Sequence, residues 1–90
     1  MELKSIITND WEHCFVCGRQ AEQIHHIFNK TDKKRSEKYG LLIPVCHRCH
    51  SDIHDRNEAL NKEIKRLAQS KFESENGKEL WMMEFRKSYL

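Results

Sequence analysis

Cysteine and histidine recur in this chain at spacings short enough to hold metal. The cysteines stand as Cys14-x2-Cys17 and Cys46-x2-Cys49, and the histidines include a doublet, His25-His26, and a pair four apart, His50 and His54. A two-residue gap lets both sulfurs of one knuckle face a single ion, and two knuckles complete the four-sulfur shell of a closed structural zinc. Imidazoles left over after the sulfurs are used suit an open, working divalent ion. An unperturbed pKa near about 6.5 also leaves a neutral imidazole free to act as a base at physiological pH.

Other uses of the same residues are weaker. Two disulfides would need an oxidising compartment, but the chain opens Met1-Glu2-Leu3-Lys4 without an apolar signal segment, so a cytoplasmic protein is expected. A finger-type site from Cys14, Cys17, His50 and His54 would have a spacer of 32 residues, where about a dozen is usual. It would also strand Cys46 and Cys49 beside the ion. The four-cysteine site ranks first, and the 28 residues between its knuckles exceed a ribbon spacer, so a folded insert must hold the His doublet.

The elements that position these groups follow from patterning. Gln20 to Ile27 reads as a short strand, with Ile24 and His26 on one face and His25 and Ile27 on the other. Residues 29–40 are polar and end in glycine, which predicts an exposed loop. Leu41 to Val45 reads as a second strand, where Pro44, lacking a donor, requires an edge or terminal position. After Cys46 the pattern turns helical to about Asp55 or Arg56 and puts His50 and His54 on one face, able to grip one ion. An amphipathic helix follows from about Glu58 to Glu73, with Leu60, Ile64, Leu67, Ala68 and Phe72 on one stripe. A last helix, about Lys78 to Lys87, carries Leu80, Trp81, Met83 and Phe85 as core candidates. Residues 1–10 predict a loosely held arm or short helix. Trp11 and Phe15 are expected to cover the zinc apolarly, and His13 and His47 to neighbour it without a catalytic role.

The 90 residues fit one domain, with a core at about 11–57 and packing helices at about 58–90. A chain this short buries only about 60 to 65 per cent of its unfolded surface, so zinc worth on the order of 10 kcal/mol matters to its stability. Hydrophobic residues at 38% and charged ones at 33% describe a highly charged globular chain with no membrane partner expected. The net charge of +2 does not itself indicate nucleic acid. Its distribution is more informative: Lys30, Lys33, Lys34, Arg35 and Lys38 outnumber Asp32 and Glu37 directly after the His doublet.

The run Glu22-x2-His25-His26-Ile27-Phe28, then Ser36-Glu37-Lys38-Tyr39-Gly40-Leu41, then Pro44-Val45-Cys46-x2-Cys49-His50-x3-His54 resembles the HNH nucleases, in particular small phage and prophage HNH proteins. The similarity continues through Leu67-Ala68-Gln69 and Phe72-Glu73 to the terminal Phe85-Arg86-Lys87-Ser88-Tyr89-Leu90. The resemblance implies an α+β fold: a zinc-stabilised ββα-metal core followed by two further helices. It implies a metal-dependent DNA endonuclease or nickase that leaves 5′ phosphate and 3′ hydroxyl. His26 would be the general base, with His25, His50 and His54 around one catalytic divalent ion (Mg2+, Mn2+, Ni2+ or Zn2+). Lys33, Lys34 and Arg35 are the candidate phosphate contacts. Phage packaging or recombination proteins become candidate partners, in a host-cell cytoplasm.

The chain departs from the family at its middle residue, commonly asparagine. None lies between Asn29 and Asn57, so Leu41, Val45 or His50 fills that slot, and His50 is read either as a ligand or as an orienting residue. A reading from another class also stands: a zinc-stabilised nucleic-acid-binding or adaptor module without catalysis.

Overall fold

The computed structural model of the protein describes residues 4–28 and 32–90. The start of the expected arm, residues 1–3, and the start of the expected loop, residues 29–31 with Lys30, lie outside them. The architecture is α+β: a two-stranded hairpin followed by helices. In chain order it has β1 (Gln23–His26), α1 (Lys33–Tyr39), β2 (Leu42–Val45), α2 (His47–Ser51), a π-helical turn (Asp52–Arg56), α3 (Glu58–Asn76) and α4 (Lys78–Phe85).

β1 and β2 pair antiparallel, with His25 opposite Ile43 and His26 opposite Leu42. The alternation along β1 is as the sequence predicts, with His25 and Ile27 buried and Ile24 exposed. β2 is buried throughout: Ile43 and Val45 join the core cluster with Ile64, Ala68 and Phe72, the N-terminal arm bonds Leu42 O, and the first cysteine knuckle reaches Pro44 O. Pro44 faces Ile24 in the register, and its carbonyl accepts from Phe15 N at 2.8 Å. In a two-stranded sheet every strand is an edge, so the missing donor costs no ladder bond.

The expected exposed loop contains a helix instead. α1 ends at Gly40, whose φ of 72° is left-handed, and Leu41 N closes the turn onto Ser36 O at 2.8 Å, a common helix-terminating arrangement. A Cβ on Gly40 would lie 3.0 Å from Lys4 O and 3.1 Å from Ile6 N, so glycine also admits the N-terminal arm. That arm is neither loose nor helical over its described part: Ser5 Oγ donates to Leu42 O at 2.6 Å, and Ile6 N to Gly40 O at 2.9 Å. α1 is fastened by the buried Ser36, whose Oγ donates to Phe28 O at 2.6 Å and accepts from Phe28 N at 3.1 Å.

α3 and α4 close an aromatic core. Phe28 at the end of β1 meets Trp81, Phe85 and Tyr89 with ring centroids 5.0 to 5.4 Å apart, and Trp81 stacks on Phe85 at 4.2 Å. Ile64, Ala68 and Phe72 are buried on α3 as expected, but Leu67 is 38% exposed. The buried polar Gln69 joins the packed face instead: its Nε2 donates to Glu73 and Ser88, and its Oε1 accepts from Tyr89 N at 2.6 Å. Met83, expected in the core, is 74% exposed, since Trp81 and Phe85 already fill the inward face of α4. Among the described residues no helix is long and apolar enough to cross a membrane.

Candidate metal centre

The four cysteines converge. Their sulfurs lie within 4.8 Å of one another, drawn in by two different local devices. Around Cys14 the chain turns tightly, with Cys14 N donating to Arg19 O at 2.6 Å and Gly18 N to Cys14 O at 2.9 Å. Cys46 instead caps α2, its Sγ accepting from Cys49 N at 3.5 Å. Zinc bonded at about 2.3 Å to four sulfurs sets tetrahedral edges of about 3.8 Å, and Cys17 Sγ lies 3.7 Å from Cys46 Sγ. That spacing is far too long for a disulfide, and all four thiols are free. Burial works to raise the Cys14 thiol, but backbone amides of Cys17, Cys46 and Val16 outweigh it, and its pKa falls to about 6. A sulfur carrying negative charge is what a metal needs. Burial and the neighbouring sulfurs push Cys49 up, so the proton stays there unless a cation displaces it. The set fits a structural zinc.

The histidines gather separately, which disposes of the finger-type alternative: ligand nitrogens of His25, His50 and His54 also lie within 4.8 Å of one another. β1 supplies His25, α2 supplies His50, and the π-turn supplies His54. His50 Nε2 stands 3.1 Å from His54 Nε2, close to the edge of about 3.0 to 3.4 Å that two nitrogens bound to one ion at about 2.1 Å would define. The rings meet edge-on, with centroids 4.7 to 5.3 Å apart. His25, only 2% exposed, has a buried Nε2 without a hydrogen-bond partner among the described residues. A buried orphan of this kind normally has a reason, and a bound ion supplies one. Burial, then the other imidazoles, lower His25 to about 3; burial and His54 likewise lower His50. Both stay neutral, as ligands must.

Two side chains that the sequence reading passed over orient the cluster. Gln23 Oε1 accepts from His50 Nδ1, so the His50 lone pair sits on Nε2, facing His54. Gln23 Nε2 in turn lies 3.4 Å from His47 Nδ1. Glu37, on α1, lies 2.9 Å from His26 Nε2. His26 is therefore held toward α1 and is not one of the three clustered imidazoles. Only the strand alternation of the His doublet hinted at such a partner, since α1 itself was not foreseen.

The remaining sequence candidates are dispersed. Lys33 and Lys34 are exposed on α1. Arg35 pairs with Asp32 at 2.7 Å and Glu84 at 3.3 Å, tying α1 to α4. His13 is exposed and bonds Asp10 at 2.8 Å.

No protein-family model matches the chain, and no solved structure matches it. Among curated proteins it is similar to a mitochondrial DNA mismatch repair protein, a mutS homologue from Sarcophyton glaucum, 38% identical over 48 residues. The match covers 48% of this chain, which spans only 5% of the relative's length. A mitochondrial relative lends no support to a phage source.

Proposed function

We propose that the chain is an HNH-like nuclease unit that hydrolyses phosphodiester bonds of DNA, with a core at about residues 11–57 and packing helices at about 58–90. The observation that carries this reading is the convergence of His25, His50 and His54 on one point, beside a fourth imidazole, His26, held apart against Glu37. The name of the mismatch repair relative supports DNA as the substrate class.

A divalent ion bound by His25, His50 and His54 would supply Lewis acidity toward the phosphate and its leaving oxygen. His50 acts as a ligand in this scheme, because Gln23 leaves its Nε2 unprotonated. His26, donating Nε2–H to Glu37, carries its lone pair on Nδ1 and takes the proton of the attacking water there. Glu37 then stabilises the imidazolium. The P–O3′ bond breaks as the new P–O bond forms, leaving a 5′ phosphate and a 3′ oxyanion that takes a proton from solvent to become the 3′ hydroxyl.

Supercoiled plasmid incubated with the purified protein and Mg2+, Mn2+ or Ni2+ tests the reading. The parent should nick or linearise it, and His26→Ala should lose roughly 10²- to 10⁴-fold in rate with zinc content unchanged. A His26→Ala protein that cuts as fast as the parent removes the base from this scheme. The adaptor alternative makes a different forecast: one tightly held zinc per chain and no exchangeable second ion.

A further inference from the structure

A single phosphate at the imidazole cluster does not hold a duplex, and on α1 the guanidinium of Arg35 is already paired with Asp32 and Glu84. Where α3 meets the C-terminal tail lies a cleft of about 370 Å3, lined by Glu58, Lys62, Lys65, Arg66, Lys87 and Tyr89. It sets four cations against one carboxylate, and that carboxylate reaches Lys62 only at 3.8 Å. Lys65 and Lys87 both hold their ammonium groups over the Tyr89 ring, 5.4 and 5.1 Å from its centre. Among the described residues neither lies within ion-pair distance of a carboxylate. An aromatic face positions a cation without neutralising it, so the paired charge stays available to an anion. The arrangement is also fixed in place: Arg66 Nε donates to Tyr89 O at 3.1 Å, and Gln69 Oε1 accepts from Tyr89 N at 2.6 Å. Partial burial, and then the neighbouring charge of Lys87, lower Lys65 from the usual lysine range. α3, which supplies most of the cleft, packs against the π-helical turn that carries His54.

We infer that Lys65 and Lys87, with Lys62 beside them, bind backbone phosphates of DNA, making this cleft rather than α1 the phosphate track. The inference rests on the nuclease reading for its choice of anion, and binding can be measured apart from cutting. Zinc-loaded protein without a second metal is titrated with a fluorescein-labelled duplex of about 20 base pairs over about 50 to 200 mM KCl. Each phosphate contact contributes about 0.9 to the slope of log affinity against log salt. Lys65→Gln/Lys87→Gln should therefore flatten the slope by about 1.8 and weaken binding about tenfold or more, with the melting curve and zinc content unchanged. Lys65→Arg/Lys87→Arg should keep the slope. Lys33→Gln/Lys34→Gln should change it less than the cleft variant does. An unchanged slope in the Lys65→Gln/Lys87→Gln protein overturns the inference, as does a parent that fails to bind. Binding that depends on the cleft in a protein that never cuts would sink the nuclease reading and keep the cleft. Cutting that depends on His26, with a cleft-independent slope, would do the reverse.

Discussion

The four sulfurs and the three imidazoles share α2, which carries Cys49 and His50, yet they differ in how they meet solvent. The sulfur cluster is largely sealed: Cys14, Cys46 and Cys49 are buried and of the four only Cys17 is exposed, and backbone amides face the sulfurs. The imidazole cluster is graded, from buried His25 through half-buried His50 to exposed His54. A closed shell stores its binding energy as folding energy. A graded one leaves a side through which a substrate oxygen can approach. Two metal-sized clusters in one small chain thus divide into one that holds the scaffold and one that faces the solution.

The largest expected effect tests that division at the sulfurs. Chelation, or Cys46→Ser/Cys49→Ser, should cost on the order of 10 kcal/mol and abolish the cooperative melt followed by far-ultraviolet circular dichroism. A chelated protein that melts like the parent would break the comparison outright. At the imidazoles, His54→Ala should leave one zinc per chain and shift stability by less than about 1 kcal/mol, an ordinary surface substitution. It should nevertheless lose the second ion in metal-titration calorimetry and about 10³-fold in cutting rate.

A third test uses pH. The folded-state pKa of His25 is depressed to about 3, so below about pH 6.5 the unfolded chain takes up a proton that the folded chain refuses. Stability from this group is fully present above about pH 6.5 and falls as pH drops toward 3. Urea melts of parent and His25→Gln should diverge by about 2 kcal/mol between pH 7 and pH 5, the parent being the one that weakens. Parallel curves would mean that His25 is not sealed from solvent. The smallest expected effect sharpens the role of α1. Glu37→Gln should reduce the rate about tenfold and move the acidic limb of the pH–rate profile, while zinc content and melting stay as in the parent. A change in stability without a change in the profile would make the contact merely structural.

Much of this was legible in the sequence. Paired cysteines state their geometry by spacing, β2 follows from its apolar run, and β1 and the long helix α3 follow from apolar periodicity. What escaped was carried by polar residues. α1 buries Ser36 rather than an aliphatic stripe, so its seven residues read as a solvated loop, although Gly40 after Tyr39 was a usable stop signal. Gln23 and Glu37 act through one hydrogen bond each across the fold, a relation that no local pattern encodes. Gln69 replaced Leu67 on the packed face because the tail of the chain needed a partner for its backbone. Met83 was misplaced because α4 is apolar nearly all round, leaving its inward side undetermined.

The π-turn over Asp52–Arg56, closed by Asn57 N donating to Asp52 O at 2.7 Å, makes the residue count between His50 and Asn57 the least negotiable length in the chain. Deleting one residue there would swing α3 by about 100° relative to the sheet and carry Phe72 away from Tyr39 on α1, whose ring it meets at 5.0 Å. Homologues should accordingly vary scarcely at all in length across this turn.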